Sequence, residues 1–130
     1  MQVNKLELEK EIDTATNYLA KQKNFKAIKY LNKLLDKDLS NDEVWLLLGI
    51  ANRRVGKLDE AIECFKTATE LNTSKIEAWG ILTMTLIDKG HINEAKTIIE
   101  KAGKLNPYNP KIQFFRDNLV RVYSRFGPFF

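Results

Sequence analysis

The chain has 130 residues, a formal net charge of +4 at pH 7, and one cysteine and one histidine. A single cysteine excludes a disulfide framework within the chain, and the longest uncharged run, residues 78–87, is too short to span a bilayer. The positive excess lies in residues 66–130, which carry 10 basic and 6 acidic residues without a basic run, so the charge does not predict a nucleic-acid footprint.

The sequence repeats itself with a period of 34 residues. This shift places Trp45 on Trp79 and Gly56 on Gly90, and it aligns the phrase GKLDEA with GHINEA. Periods of 20–50 residues indicate stacked structural repeats. In chain order the period predicts three repeats. The first is the weakest, because it lacks both the tryptophan and the turn glycine.

Several residues predict where helices begin and end. Ser40 and Ser74, each three residues before a glutamate, predict capping boxes. Asn109, which precedes a proline, predicts an N-cap. Gly56 and Gly90 suit the left-handed conformation that ends a helix. No stretch alternates like a strand, so we expect none.

Residues 110–126 predict a final helix that caps the array. One face is polar and carries Gln113, Arg116 and Asp117. The other face is apolar and suited to cover the preceding repeat, through Ile112, Phe115, Leu119 and Tyr123. Stacked repeats need such a cap, so we expect the array to end here and the chain to be complete.

The tail, residues 127–130, ends in Phe129 and Phe130. Burial of each ring would gain roughly 1.5–3 kcal/mol. Two interpretations stay open: the rings fold back on the last helices, or they dock into a neighbouring molecule and make a dimer.

The content of the period resembles the tetratricopeptide repeat, whose pattern is W-x2-L-G-x2-Y, then G, then A-x3-F, then A, then P. The second repeat matches it through Trp45, Leu48, Gly49, Gly56, Ala61, Phe65 and Ala68. The third matches through Trp79, Leu82, Gly90, Ala95, Ala102 and Pro107. The resemblance implies an all-α fold, a right-handed α-solenoid of antiparallel helix pairs with about seven helices, in a single domain over residues 1–126. It places the three repeats at about residues 8–41, 42–75 and 76–109.

In this family, the first helix of each pair lines a concave groove, and five positions of that helix face it. Carried over to this sequence, the resemblance implies a groove lined by Ile12, Leu46, Ile50, Arg53, Arg54, Met84, Ile87, Phe114 and Arg121. Gly80 would leave room for a bulky anchor. We therefore expect a protein-binding scaffold that holds an amphipathic helix or extended segment with apolar anchors and a few acidic residues.

One subclass of the family binds the acidic C-termini of heat-shock chaperones through a clamp of lysine, asparagine and arginine side chains. The matching positions here hold Ile12, Thr16, Leu47, Glu77 and Ile81. None of these residues matches, so the resemblance does not extend to the carboxylate clamp.

Residues that could carry chemistry are few. His91 lies in a turn, with no cysteine or carboxylate at metal-ligand spacing nearby, and Cys64 is interpreted as a small core residue. Neither a phosphate-binding loop nor a nucleophile motif is present. We expect no enzymatic activity, no metal and no cofactor.

Two other functions remain open. The basic C-terminal half would suit a nucleic-acid-binding helical repeat, with Phe114 and Arg121 as its contacts. A self-associating regulatory subunit would use Phe129 and Phe130. The many lysines and glutamates of the first 25 residues do not fit a signal peptide, and we expect a cytoplasmic protein.

Overall fold

The computed structural model describes the backbone of residues 4–126 and the side chains of residues 4–121, and all the regular structure in this part is helical. The helices are α1 (Lys5–Ala20), α2 (Asn24–Lys37), α3 (Asp42–Arg54), α4 (Leu58–Leu71), α5 (Ile76–Asp88), α6 (Ile92–Leu105) and α7 (Pro110–Phe126). The predicted all-α fold with seven helices is confirmed over the described residues.

The chain divides into two compact units, Met1–Leu71 and Asn72–Phe130. In the first unit each helix packs on the next, and α3 also contacts α1. In the second unit α5, α6 and α7 all contact one another. The helices within each unit are joined by three or four residues, and such short connections make neighbouring helices antiparallel. One domain over residues 1–126 stays a prediction.

Asparagine side chains cap the N-termini of α1, α3 and α7. Asn4 Oδ1 accepts a hydrogen bond from the backbone N–H of Leu6 at 2.9 Å, and Asn41 Oδ1 accepts one from Val44 at 3.1 Å. Asn109 Oδ1 accepts one from Lys111 N–H at 2.9 Å, and this confirms the predicted cap before α7. Each cap gives a partner to one of the amide groups that a helix leaves unpaired at its first turn.

The two predicted serine caps are wrong. Ser40 donates both its N–H and its hydroxyl to Asp38 Oδ1, at 2.9 and 2.6 Å. Ser74 makes the same pair of bonds to Asn72 Oδ1, at 3.2 and 2.8 Å. The acceptor two residues earlier captures each serine in a tight local turn, so its oxygen does not reach the helix that follows.

The turn between the two helices of a pair has the same geometry in all three pairs. Gly56 and Gly90 have φ values of +82° and +83°, as predicted, and the residue after each donates its N–H back into the helix. The first pair places Gln22 at the equivalent position, with φ +60°. The two backward hydrogen bonds around each of these residues form a Schellman motif, which satisfies the last carbonyls of the helix.

The core of the first unit joins α1, α2, α3 and α4. Close approach of α3 and α4 depends on Gly49, because a Cβ at this position would clash with the ring of Phe65. Phe65 itself is fully buried. The rest of the core is aliphatic and includes Ala15, Leu19, Ala27, Leu31, Leu34, Leu35, Val44, Leu47, Leu48 and Ala51.

Each tryptophan ties its helix to the preceding turn. Trp45 Nε1 donates to the carbonyl of Leu39 at 2.7 Å, and Trp79 Nε1 donates to the carbonyl of Thr73 at 2.8 Å. The spacing and geometry are the same in both units. Trp79 is buried and Trp45 is half-buried. An indole N–H withdrawn from water needs such an acceptor, so each tryptophan fixes its loop as well as filling space.

The second unit has its own core, in which Leu82, Leu86, Ile92 and Ile99 are buried. The first part of α7 covers it as predicted, since Ile112 and Leu119 are buried. The side chain of Tyr123 lies outside the described part of the chain. Phe129 and Phe130 also lie outside the described residues, so both interpretations of the tail stay predictions.

Candidate functional site

Four of the predicted groove residues lie on α5 and α7, which pack against each other. Met84 and Phe114 leave 49% and 58% of their surface exposed. Ile87 is half-buried one turn after Met84, and Arg121 is exposed two turns after Phe114. Residues at these spacings share one helix face. We call Met84, Ile87, Phe114 and Arg121 the α5–α7 surface.

Phe115 positions α7 on α5, and Phe114 packs against Phe115. The Phe115 ring lies over Gly80, where a Cβ would clash with it. The rings of Phe114 and Phe115 meet edge to face, with centroids 5.9 Å apart and planes at 63°. The expectation that Gly80 leaves room for a partner's anchor is therefore wrong, because the chain's own Phe115 fills that room.

In the first unit, the predicted groove residues expose less apolar surface. Ile12 and Ile50 are half-buried and pack against the core, and Arg53 is half-buried. We call these three residues the α1–α3 surface. The side chain of Leu46 is only 3% exposed, so it offers almost no surface for a partner to contact. The exposure predicted for Leu46 is therefore wrong.

Arg54, also predicted to face the groove, holds the helices of its own unit together. Its Nη1 donates to the carbonyl of Leu19 at 2.7 Å and lies 3.4 Å from Asn24 Oδ1. Leu19 is in the last turn of α1, where carbonyl groups lack helical partners and a positive charge is favourable. The sequence feature that could have indicated this contact is the position of Arg54 in the last turn of α3. When two helix pairs stack, that turn lies beside the last turn of α1.

Cys64 is buried in the first unit, and His91 lies in a turn of the second. Burial raises the pKa of the Cys64 thiol to about 11, against a weaker opposing effect of the Asn52 amide 4.0 Å from Sγ. His91 is exposed, and its Nδ1 lies 3.5 Å from Glu94. Among the described residues, no group of three or more His, Cys, Asp or Glu side chains is placed to hold a metal ion.

Crossing a bilayer demands a helix that is both long and strongly apolar. None of the helices in the described part of the chain combines that length with that hydropathy.

Family models of the tetratricopeptide repeat match residues 42–74 and 76–109, which together make up half of the chain. Tetratricopeptide repeat protein 8 of Homo sapiens is 31% identical over 74 residues. Its Mus musculus counterpart matches equally. The matched segment is 55% of this chain but only 14% of each of these relatives.

Solved structures share the fold over nearly the whole chain. The type III secretion chaperone SycD of Yersinia enterocolitica, in complex with a peptide of the translocator YopD, has a TM-score of 0.79 at 19% identity and covers 96% of this chain and 95% of its own. PcrH in complex with the chaperone binding region of PopD has a TM-score of 0.82 at 16% identity, with coverages of 96% and 97%.

The first repeat domain of Spaghetti (RPAP3), bound to an HSP90 peptide, has a TM-score of 0.79 at 21% identity, with coverages of 97% and 98%. These likenesses establish a common helical-repeat fold. With the two matched repeat models and the seven helices, they lead to one conclusion: the chain belongs to the tetratricopeptide repeat family.

Proposed function

We propose that the chain is a non-catalytic scaffold that binds a peptide or amphipathic helix of a partner protein through the first helix of each pair. The observation that carries this proposal is the pair of exposed apolar side chains, Met84 and Phe114, on packed helices. Methionine gives an adaptable contact and phenylalanine a rigid one. Arg121, on the same face of α7 as Phe114, would pair with an acidic residue of the bound segment.

The solved relatives support this proposal. SycD, PcrH and Spaghetti are each described as complexes with a segment of another protein. For this chain we propose binding without the carboxylate clamp. The clamp positions hold Ile12, Thr16, Leu47, Glu77 and Ile81, which supply no cationic side chain for a terminal carboxylate. Apolar anchors would then supply most of the affinity, and charge would set the orientation.

Ile12, Ile50 and Arg53 would make a smaller contribution on the α1–α3 surface. Because Ile12 and Ile50 also pack against the core, substitution of either residue would disturb folding as well as binding. The α5–α7 surface is therefore the better place for a test. Met84 and Phe114 can be changed there without removing a buried side chain.

The experiment selects displayed peptides on the immobilised full chain and measures the selected peptides by fluorescence anisotropy. Met84→Asp and Phe114→Asp should each weaken binding by about tenfold or more, because a charge replaces apolar contact surface. Tyr108→Ser is the matched control, since it removes an exposed ring from a loop. Circular dichroism checks that each variant folds. Equal affinity for both Asp variants and the control would show that the groove assignment is wrong.

The alternatives from the sequence have their own tests. A nucleic-acid-binding repeat would bind oligonucleotides with an affinity that falls steeply as salt rises. Self-association through Phe129 and Phe130 would make the elution volume on size exclusion depend on those two rings. Neither measurement requires a selected peptide, so the three functions are separable.

A further inference from the structure

A second surface, away from the α5–α7 surface, lies between α6 and α7. It is a cleft of about 300 Å³ lined by Ile92, Lys96, Ile99, Glu100, Arg116, Leu119 and Val120. Its floor is aliphatic, and its rim is charged. Val120, beside this floor, is 62% exposed.

The repeat explains what this cleft is. Two periods of the repeat relate α2 to α6 residue by residue, so Asn24 corresponds to Ile92 and Lys37 to Leu105. In the same register α3 begins where α7 begins, at Asp42 and Pro110. The α2–α3 pair of the first unit and the α6–α7 pair of the second therefore present equivalent faces.

In the first unit, α4 lies on this face. The cleft there is lined by Ile28, Asn32, Leu48 and Asn52 from α2 and α3, and by Lys57, Asp59, Glu60, Glu63 and Cys64 from α4 and the turn before it. The four residues from α2 and α3 correspond to Lys96, Glu100, Arg116 and Val120. Asn52 is 6% exposed beneath α4, whereas its counterpart Val120 is 62% exposed. The α6–α7 face is thus equivalent to the face on which α4 lies in the first unit.

The charges around the cleft narrow the choice of helix. Lys96 replaces Ile28 and Arg116 replaces Leu48, so the rim is more cationic than in the first unit. The lining of the cleft has two cations, Lys96 and Arg116, and one carboxylate, Glu100. Arg116 lies over Gly103 and is 3.9 Å from Glu100, so these two charges offset each other and Lys96 leaves the rim with a net positive charge. Even α4 places Asp59, Glu60 and Glu63 at the first-unit cleft.

We propose that the α6–α7 cleft docks an amphipathic helix of another protein, with an aliphatic stripe flanked by acidic residues. The stripe would cover Ile99, Leu119 and Val120, and the acidic flanks would face Lys96 and Arg116. A large aromatic anchor like Phe65 would not fit in the same way, since Asp117 stands where α3 has Gly49. A second copy that apposes its own α6–α7 face is a poorer occupant, because it would bring the same cationic face against this one.

The test uses three peptides of about 18 residues, five helical turns, with one Leu/Ile stripe and flanks of glutamate, glutamine or lysine. With the full chain at low salt, the glutamate peptide should bind about tenfold more tightly than the lysine peptide, and salt should narrow the gap. Val120→Glu and Lys96→Glu should each weaken binding of the glutamate peptide about fivefold or more. Both side chains are exposed, so the fold should persist, which thermal unfolding checks.

Two control variants test whether the peptide binds at this cleft. Lys33→Glu makes the same charge change on the exposed face of α2 and should leave binding unchanged. In the double variant with Met84→Asp, Val120→Glu should still weaken binding about fivefold, which distinguishes this cleft from the α5–α7 surface.

Four results would overturn the proposal. The first is that no peptide of the panel binds, and the second is that the Val120→Glu variant binds the glutamate peptide as tightly as the unaltered chain does. The other two results concern the occupant of the cleft. Binding appears only after Phe129→Ser with Phe130→Ser, which would make the chain's own tail the occupant. Sedimentation shows a dimer that Val120→Glu disperses, which would make a second copy the occupant.

Discussion

Replacing Gln22 with glycine should stabilise the protein. Gln22 has φ +60°, at the position that Gly56 and Gly90 occupy after α3 and α5. The hydrogen bonds are the same as in the glycine turns: Gln22 N–H donates to Leu19 at 3.1 Å, and the next amide donates to Tyr18 at 2.8 Å. Only the side chain differs, so the turn is already built for glycine.

The magnitude follows from two opposing effects. A side chain in the left-handed conformation costs roughly 1–2 kcal/mol. Glycine also lowers the stability by about 0.4–1 kcal/mol, because it increases the conformational entropy of the unfolded chain. The expected net gain for Gln22→Gly is therefore about 0.5–1 kcal/mol, or roughly 2–4 °C in Tm. Gly56→Gln should lose a similar amount, and the loss is one of backbone alone, since a Cβ at residue 56 has no heavy atom within 4 Å.

The assay is urea unfolding followed by circular dichroism at 222 nm. Lys21→Gly is the matched control, because Lys21 has φ −90° and glycine there brings only its entropic cost of about 0.5–1 kcal/mol. The free energy of unfolding should rise for Gln22→Gly and fall for Lys21→Gly and Gly56→Gln. If Gln22→Gly and Lys21→Gly destabilise equally, the left-handed backbone of Gln22 carries no strain, and the reasoning is refuted.

Three further changes test the core and the loops. Phe65→Ala should cost about 3–5 kcal/mol in urea unfolding, because a buried ring is lost, whereas truncation of the exposed Phe25 should cost little; equal costs would contradict the burial. Trp79→Phe removes the 2.8 Å bond to the Thr73 carbonyl and should cost about 1 kcal/mol, with an unchanged Tm as the contrary result. The pKa of the Cys64 thiol is about 11 in the folded chain and has its ordinary value of 9.0 in the unfolded chain. Stability should therefore fall as pH rises through that interval, and Cys64→Ala should flatten the fall; the same slope in both proteins would show that the thiol is not responsible.

The features that the sequence predicted are those decided within a few residues. The left-handed glycines and the Asn109 cap follow from local backbone chemistry. The apolar face of α7 follows from helical spacing. Ser40 and Ser74 failed as caps although they too are local, because Asp38 and Asn72 compete for the same hydroxyl groups. The pattern for a capping box does not include that competitor.

The features that the sequence missed depend on which helix lies opposite. Leu46 and Ile50 are four residues apart on one helix, yet Leu46 is buried and Ile50 is half-buried. The missing side chain of Gly80 suggested space for a partner, but α7 packs so that the Phe115 ring fills that space. Arg54 is a residue type that usually lies on the surface, and only the position of the Leu19 carbonyl at the end of α1 allows it to join α3 to α1 by a hydrogen bond. Side-chain types constrain a face, but packing partners select which of its members stay exposed.

The indole groups of Trp45 and Trp79 give the protein two matched optical reporters, one in each compact unit. Each ring is held by a hydrogen bond to its own loop, so its emission should shift when that loop loses its structure. A chain that keeps only Trp45 would report on the first unit, and one that keeps only Trp79 would report on the second. Fluorescence melts of the two single-tryptophan proteins would therefore measure whether the halves unfold together or in sequence, which is the cooperativity that a repeat array leaves open.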